Sequence, residues 1–167
     1  EFDSASYTFG YLAAGESITL TYTITVTDSQ NTTDTQDIAI VISGTNSAPD
    51  ITVETGDSDS DTLAETNSTL TTDGTLSVLD FNTTDTVTAA VTSVSASGTT
   101  TGLLSNNAAL LAMLSVNSNV INNSSETGTI TWEFDAASES FDYLAVGESL
   151  TLTYNITATD SQNATDT

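Results

Sequence analysis

Residues 133–167 read EFDAASESFDYLAVGESLTLTYNITATDSQNATDT, and inside them the stretch Ser149–Asp160 alternates. Leu150, Leu152, Tyr154, Ile156 and Ala158 take one side; Thr151, Thr153, Asn155, Thr157 and Thr159 take the other. A period of two sends successive side chains to opposite faces of a strand, so this is a half-buried β-strand. Residues 1–35, EFDSASYTFGYLAAGESITLTYTITVTDSQNTTDT, match that stretch at 26 of 35 positions, at an offset of 132 residues, and repeat the alternation with Ile18, Leu20, Tyr22, Ile24 and Val26. Chance does not produce such a match. The chain is expected to be one 132-residue period of a tandem array plus 35 residues, an internal piece that begins without Met. On that reading residues 1–45 are the C-terminal strands of a preceding repeat, and 46–167 are the following repeat without its last strand. A period this long suits a string of separate globular modules better than solenoid rungs.

Working outward, strands are expected at 51–54, 74–79, 86–96, 128–134 and 149–159, with 36–43 as the last strand of the preceding repeat. In the order of a sandwich these are strands A, B, C, E, F and G. Asn106–Leu114 departs from the alternation: Ala109, Leu110, Met113 and Leu114 fall at helical spacing behind an Asn cap, which predicts one short helix. Short strands separated by Gly, Asn, Asp and Ser turns indicate an all-β, immunoglobulin-like (cadherin-like) Greek-key sandwich. Tyr143-Leu144-Ala145-Val146-Gly147-Glu148, ahead of the strand carrying Tyr154, has the look of the E–F corner of such sandwiches, where a tyrosine hydrogen-bonds back to the turn. Plain core packing of these tyrosines is the alternative.

Composition narrows the chemistry. The 167 residues hold 23 carboxylates and no Lys, Arg, His or Cys, for a formal charge of −23. No cationic side chain means no phosphate clamp, so nucleic acid and anionic lipid surfaces are excluded as partners. Ser-His-Asp and Cys-His catalysis, Lys Schiff bases and His or Cys metal sites are excluded as well. What remains is hard oxygen donors in excess, which favour Ca²⁺. With 37% hydrophobic residues the chain has enough apolar surface for a core, and Thr and Ser together supply about a third of it. No apolar run approaches a membrane span of roughly 20 residues, so direct membrane insertion is not expected.

The strand order brings acidic loops together at the pole where the chain enters from the previous module. Asp80, Asn82 and Asp85 lie in the B–C loop, Asp160 opens the F–G loop, and Asn46 and Asp50 flank the linker stiffened by Pro49. Glu16, on the corner of the preceding module, faces the same joint. Six or more oxygens at one point repel unless a cation joins them, and the chain supplies none; an external divalent ion resolves this, Ca²⁺ in preference to Mg²⁺. Asp57-Ser58-Asp59-Ser60-Asp61 is a second candidate. It lacks the Gly and Glu of an EF-hand loop at positions 6 and 12, where Thr62 and Ser68 stand, and is open between a calcium role for Asp57, Asp59 and Asp61 and a solvated A–B loop. Asp142 and Glu139 read as solvated surface.

The segments GTNSAPDI (44–51), TLSVLDFNTTDTVTAAVTSV (75–94) and WEFDAASESFDYLAVGESLTLTYNITATDSQ (132–162) resemble the VCBS-type, cadherin-like and bacterial immunoglobulin-like extender repeats of giant RTX adhesins. The likeness runs over essentially the whole chain. It departs at Ser47, where the linker of that family usually carries Asp. The resemblance implies a secreted protein held at the bacterial cell surface, exported unfolded and folded outside by Ca²⁺, whose repeats form a stalk for adhesion and biofilm formation. Its partners would be the neighbouring repeats of the same chain.

Other readings are weaker. A carboxylate-pair glycosidase needs an aromatic-lined cleft, and Trp132 lies on an alternating strand with the core parity, so no enzymatic role is expected. A calcium-dependent carbohydrate-binding module is the alternative function, but Phe2, Phe9, Phe134 and Phe141 recur at equivalent positions in both copies and look structural. A Thr-rich ice-binding face would need a strict short Thr repeat. Finally, a spare strand at 36–43 and an open edge on the second copy suggest head-to-tail strand complementation between molecules.

Overall fold

The computed structural model describes residues 2–4, 7–137 and 139–167. Among them the chain forms ten strands and one short helix: β1 (Ser17–Thr27), β2 (Thr33–Ser43), β3 (Asp50–Thr52), β4 (Thr71–Leu79), β5 (Val87–Gly98), α1 (Asn107–Leu111), β6 (Leu114–Val116), β7 (Asn119–Ile121), β8 (Thr127–Asp135), β9 (Leu150–Asp160) and β10 (Thr165–Asp166). All pairings are antiparallel. One sheet has the order β3-β4-β8-β6, a second β10-β9-β5-β7, and β1 and β2 form a separate hairpin.

The two four-stranded sheets share a core. Leu76 and Val78 of β4 and Ile130 and Trp132 of β8 pack with Val87 and Ala89 of β5, Ile121 of β7 and Ala158 of β9. A second cluster at the other end joins Val94, Leu110, Met113, Ala136 and Phe141. Trp132 is buried, its indole Nε1–H donating to Ser58 O at 2.7 Å, and its ring crowds Gly74, where a Cβ would stand only 2.4 Å from its Cζ2. Gly74 is therefore a packing requirement, since the indole needs the space a side chain would take.

The long strands fall where alternation places them, and β9 keeps Leu150 to Ala158 inward. Three differences concern short elements. The helix stops at Leu111, capped by Asn106 accepting from Ala109 N at 3.0 Å, because Leu114 already pairs with Phe134 in β6. Strands β6 and β7, three residues each, were not expected; Asn117 between them bridges to Asn119 O, Thr129 O and Thr131 N. The segment 46–167 also carries a start on the last strand it was expected to lack: Thr165 pairs with Thr159 and Asp166 with Ala158. Thr33 and Asp34 pair with Thr27 and Val26 in the same register, 132 residues earlier.

The expected tyrosine corner takes a different form. Tyr154 OH donates across the core to Leu110 O at 2.9 Å, and burial pushes its phenol up to about 12. The corner itself is closed by a carboxylate: Ala145 N donates to Glu148 Oε2 at 2.9 Å, and Ala13 N to Glu16 Oε2 at the same distance. Gly147 and Gly15 each sit at φ +88°, a left-handed conformation that glycine adopts without strain.

Candidate metal centre

Three strand ends build the site by continuing the parity of the core. In β4 the inward row Leu76, Val78 runs on to Asp80; at the start of β5 Asp85 precedes Val87 and Ala89; in β9 Ala158 is followed inward by Asp160. All three carboxylates are buried, and one oxygen from each lies within 4.8 Å of the other two. They form the one group of three or more such ligands among the described residues. Oxygens at about 2.3–2.6 Å around a calcium ion sit within about 5 Å of one another, so this spacing fits one ion shared by all three.

Asp80 and Asp85 are each held by one oxygen and leave the other unpaired, whereas both oxygens of Asp160 are engaged. Asp80 Oδ1 accepts from Asn82 N at 2.9 Å, and Asp85 Oδ1 accepts from Ser161 Oγ at 2.9 Å. Asp160 Oδ1 accepts from Gln162 N and Ala164 N at 2.9 and 2.7 Å. Asp80 Oδ2 and Asp85 Oδ2 are buried with no hydrogen-bond partner, as is Asn46 Oδ1. Asn46 Nδ2 donates to Asp160 Oδ2 at 2.7 Å. Buried polar atoms are normally paired, and orphaned carboxylate oxygens in so close a cluster are what a cation would satisfy. Burial raises the Asp80 carboxyl above its ordinary range; the Asn82 N–H opposes this, while the charges of Asp85 and Asp160 add to it. With no cation present, two unit charges within 4.8 Å of each other at an effective dielectric near 20 repel by roughly 3.5 kcal/mol or more.

Asn82 stands beside the cluster as a joint residue. It is fully buried. Its Oδ1 accepts from Ser47 N at 2.7 Å, and its Nδ2 reaches Gly10 O, Leu12 O and Thr45 O at 3.0, 3.1 and 3.3 Å. The B–C loop thereby grips both the linker and the upstream corner, whose Leu12 and Ala13 are buried.

The structure thus brings together Asp80, Asp85, Asp160 and Asn46, with Asn82 locking the joint rather than offering a free ligand atom. It does not bring in the rest of the expected set. Glu16 closes its own turn, although its main-chain O accepts from Gly44 N at 2.9 Å at the edge of the joint. Asp50 is exposed on β3. Asp57 accepts from Thr75 Oγ1 at 2.6 Å and from Glu54 N at 3.1 Å, and Asp61 from Thr72 Oγ1 and Thr62 N. Hydroxyl hydrogen bonds are the largest cause holding both of these carboxyls below the usual range. Asp59 is exposed and accepts from Ser60 Oγ. The A–B loop uses its carboxylates to fasten itself to β4, so they do not converge.

Two acidic residues read as surface have structural duties. Glu139 is buried, accepting from both Ser105 N and Ser105 Oγ at 2.9 and 2.7 Å, which fixes the approach to α1. Asp142, which is exposed, accepts from Ser140 Oγ. Asp166, not anticipated, accepts from Ile51 N at 2.7 Å and ties β10 to β3. No helix among the described residues is long and apolar enough to cross a membrane. No protein-family model matches the chain, and no curated protein sequence matches it.

Proposed function

We propose that this chain is a calcium-stabilised, non-catalytic extender module of a secreted bacterial cell-surface adhesin, in contact with neighbouring repeats of its own chain. The observation that carries the proposal is the buried Asp80–Asp85–Asp160 cluster, with unpartnered Asp80 Oδ2, Asp85 Oδ2 and Asn46 Oδ1, in a chain with no cationic side chain. Asp80, Asp85, Asp160 and Asn46 would hold the ion, which would supply the positive charge that their burial lacks. The O-only donor set favours a hard cation, and the number of converging oxygens favours Ca²⁺ over Mg²⁺, which keeps its waters.

Three further observations support the reading. The sheet orders β3-β4-β8-β6 and β10-β9-β5-β7 are consistent with an immunoglobulin-like Greek key in which the first four would be strands A, B, E and D, and β10, β9 and β5 would be G, F and C, with β7 added beside β5. The corners at 11–16 and 143–148 and the turns after Asp28 and Asp160 share hydrogen bonds and positive-φ residues, Asn31 at 64° and Asn163 at 67° among them, as a tandem array requires. The site lies where the upstream segment meets the body, so an ion there would stiffen a string of modules.

Thermal melting of the full chain in EDTA, in calcium and in magnesium tests this. Calcium at about a hundredfold its dissociation constant adds about 2.7 kcal/mol, a rise in midpoint of roughly 5–10 °C for a chain of this size, with magnesium giving less. A midpoint that is the same in EDTA and in millimolar calcium would defeat the proposal.

A further inference from the structure

Seven asparagines of the chain stand in the frame Asn-X-Ser/Thr, the acceptor pattern for an N-linked sugar: Asn31, Asn67, Asn82, Asn122, Asn123, Asn155 and Asn163. The frame alone says little where Thr and Ser make up about a third of the residues. Their places in the fold separate the seven. Asn82 is fully buried, with its amide spent on the joint, and Asn155 lies in the middle of β9. Asn31, Asn67, Asn122, Asn123 and Asn163 are exposed on loops.

Among the described residues, only at Asn122 does the hydroxyl two residues on donate to the asparagine's own carboxamide: Ser124 Oγ donates to Asn122 Oδ1 at 2.6 Å. The overlapping frame is committed elsewhere, since Ser125 Oγ donates to Thr127 O at 2.8 Å and gives Asn123 nothing. Thr69 Oγ1, the hydroxyl that would serve Asn67, turns to Ala137 O, and those that would serve Asn31 and Asn163 belong to Thr33 of β2 and Thr165 of β10. Ser124 N also donates to Asn122 O at 2.7 Å, which folds the hydroxyl back onto the amide. The turn is pinned at both ends and free at its tip. Ile121 is buried in the core on one side, and Glu126 O accepts from Asp80 N at 2.7 Å on the other, while Asn122, Asn123 and Ser124 are exposed. Asn122 Nδ2 has no hydrogen-bond partner among the described residues.

We infer that Asn122 is a glycosylation site, its Nδ2 taking a sugar from a donor activated at C1 by a diphosphate ester, under the action of a separate transferase. A carboxamide nitrogen is a weak nucleophile because its lone pair is shared with the carbonyl. A hydroxyl proton held at Oδ1 favours the tautomer with hydrogen on oxygen, which returns the lone pair to Nδ2. Nδ2 attacks C1 as the bond from C1 to the diphosphate oxygen breaks. The diphosphate leaves with the electron pair, Nδ2 gives up one proton to a base of the transferase, and nothing is oxidised or reduced. A sugar at this tip adds bulk on the solvent side and disturbs no core contact. No atom of the carboxylate cluster takes part, and this site shares with the proposed function only the premise of an exported chain.

The chain offers trypsin no site, but cleavage before Asp85 and after Glu126 releases residues 85–126, whose two frames are those of Asn122 and Asn123. Mass spectrometry of that fragment, from the full chain isolated from the cells that produce and export it, should show a glycan, and electron-transfer fragmentation should place it on Asn122. An increment of one hexose identifies a nucleotide-linked donor, and a preassembled block of several sugars a lipid-linked one. Ser124→Ala should lower occupancy about tenfold or more, and Ser124→Thr should keep it. Ser125→Ala, which breaks only the frame of Asn123, should leave occupancy within about twofold of wild type. An unmodified 85–126 fragment would overturn the inference and leave the Ser124–Asn122 bond as a fastening of the turn alone. So would a sugar placed on Asn123, or an occupancy at Asn122 that Ser124→Ala does not change.

Discussion

Asn46 Nδ2 donates to Asp160 Oδ2 at 2.7 Å across 114 residues of sequence, and leaves Asn46 Oδ1 buried without a partner. The amide thus acts as a neutral stand-in for positive charge at one carboxylate, while Asp80 and Asp85 go without. When a cation enters, the same amide has only to rotate for Oδ1 to face it. Asn46→Asp replaces this adaptable group with a fourth negative charge. Calcium titrated by calorimetry should bind more tightly, by about tenfold or more, whereas the melting midpoint in EDTA should drop.

Neutralising Asp80 should have effects of opposite sign in the two conditions. Asp80→Asn removes a buried charge repelled by Asp85 and Asp160, so in EDTA the variant should be more stable than wild type by about 1–3 kcal/mol in denaturant unfolding. In saturating calcium it should be less stable, having lost a ligand. Equal shifts in both conditions would show that Asp80 does not face an ion.

The pH dependence follows from the same carboxyl. Its folded-state pKa is raised above the unfolded value of 3.8, chiefly by burial. The folded state therefore binds more protons than the unfolded one between those two values, and without calcium stability contributed by Asp80 should rise as pH falls through that window. Asp28, Asp57 and Asp61 are lowered, so their contributions are lost only at more acid pH, below 3.8. With calcium bound, protons compete with the ion and acidification should destabilise from the start. Melting midpoints from pH 7 to pH 3, with and without EDTA, should diverge at neutral pH and converge in acid.

Gly74→Ala tests the packing of Trp132. A Cβ at 2.4 Å from the indole must displace it from its seat and stretch the bond to Ser58 O. The cost should be about 1–3 kcal/mol, with a change in tryptophan fluorescence and looser hydrogen exchange over 57–61, where the loop rests on that bond.

Much of this was legible in the sequence because strands announce themselves by parity. The alternation that marks Leu150 to Ala158 as inward also marks Asp160, and Leu76 and Val78 lead on to Asp80. A charged residue on the core-facing row is the sign of a buried site, and it separates Asp80, Asp85 and Asp160 from the remaining carboxylates better than loop membership does. Asp57, Asp59 and Asp61 also alternate, but they flank no buried row, and neighbouring threonines satisfy two of them. Strands of three residues, such as Leu114–Val116, are too short to show a period, and Met113–Leu114 continues the helical spacing that Leu110 begins. The roles of Glu16 and Glu148 were obscured because their spacing to Ala13 and Ala145 is a local turn signal, while attention falls on the tyrosines beside them.

Asn82 recognises the upstream corner through the carbonyls of Gly10 and Leu12, not through their side chains. A coupling read from main chain is indifferent to the side chain that position 10 displays. Units joined this way can diverge on their surfaces without changing the angle at which they meet. The joint is in effect a standard fitting, in which the surface of the corner can vary while the side chain that does the gripping cannot.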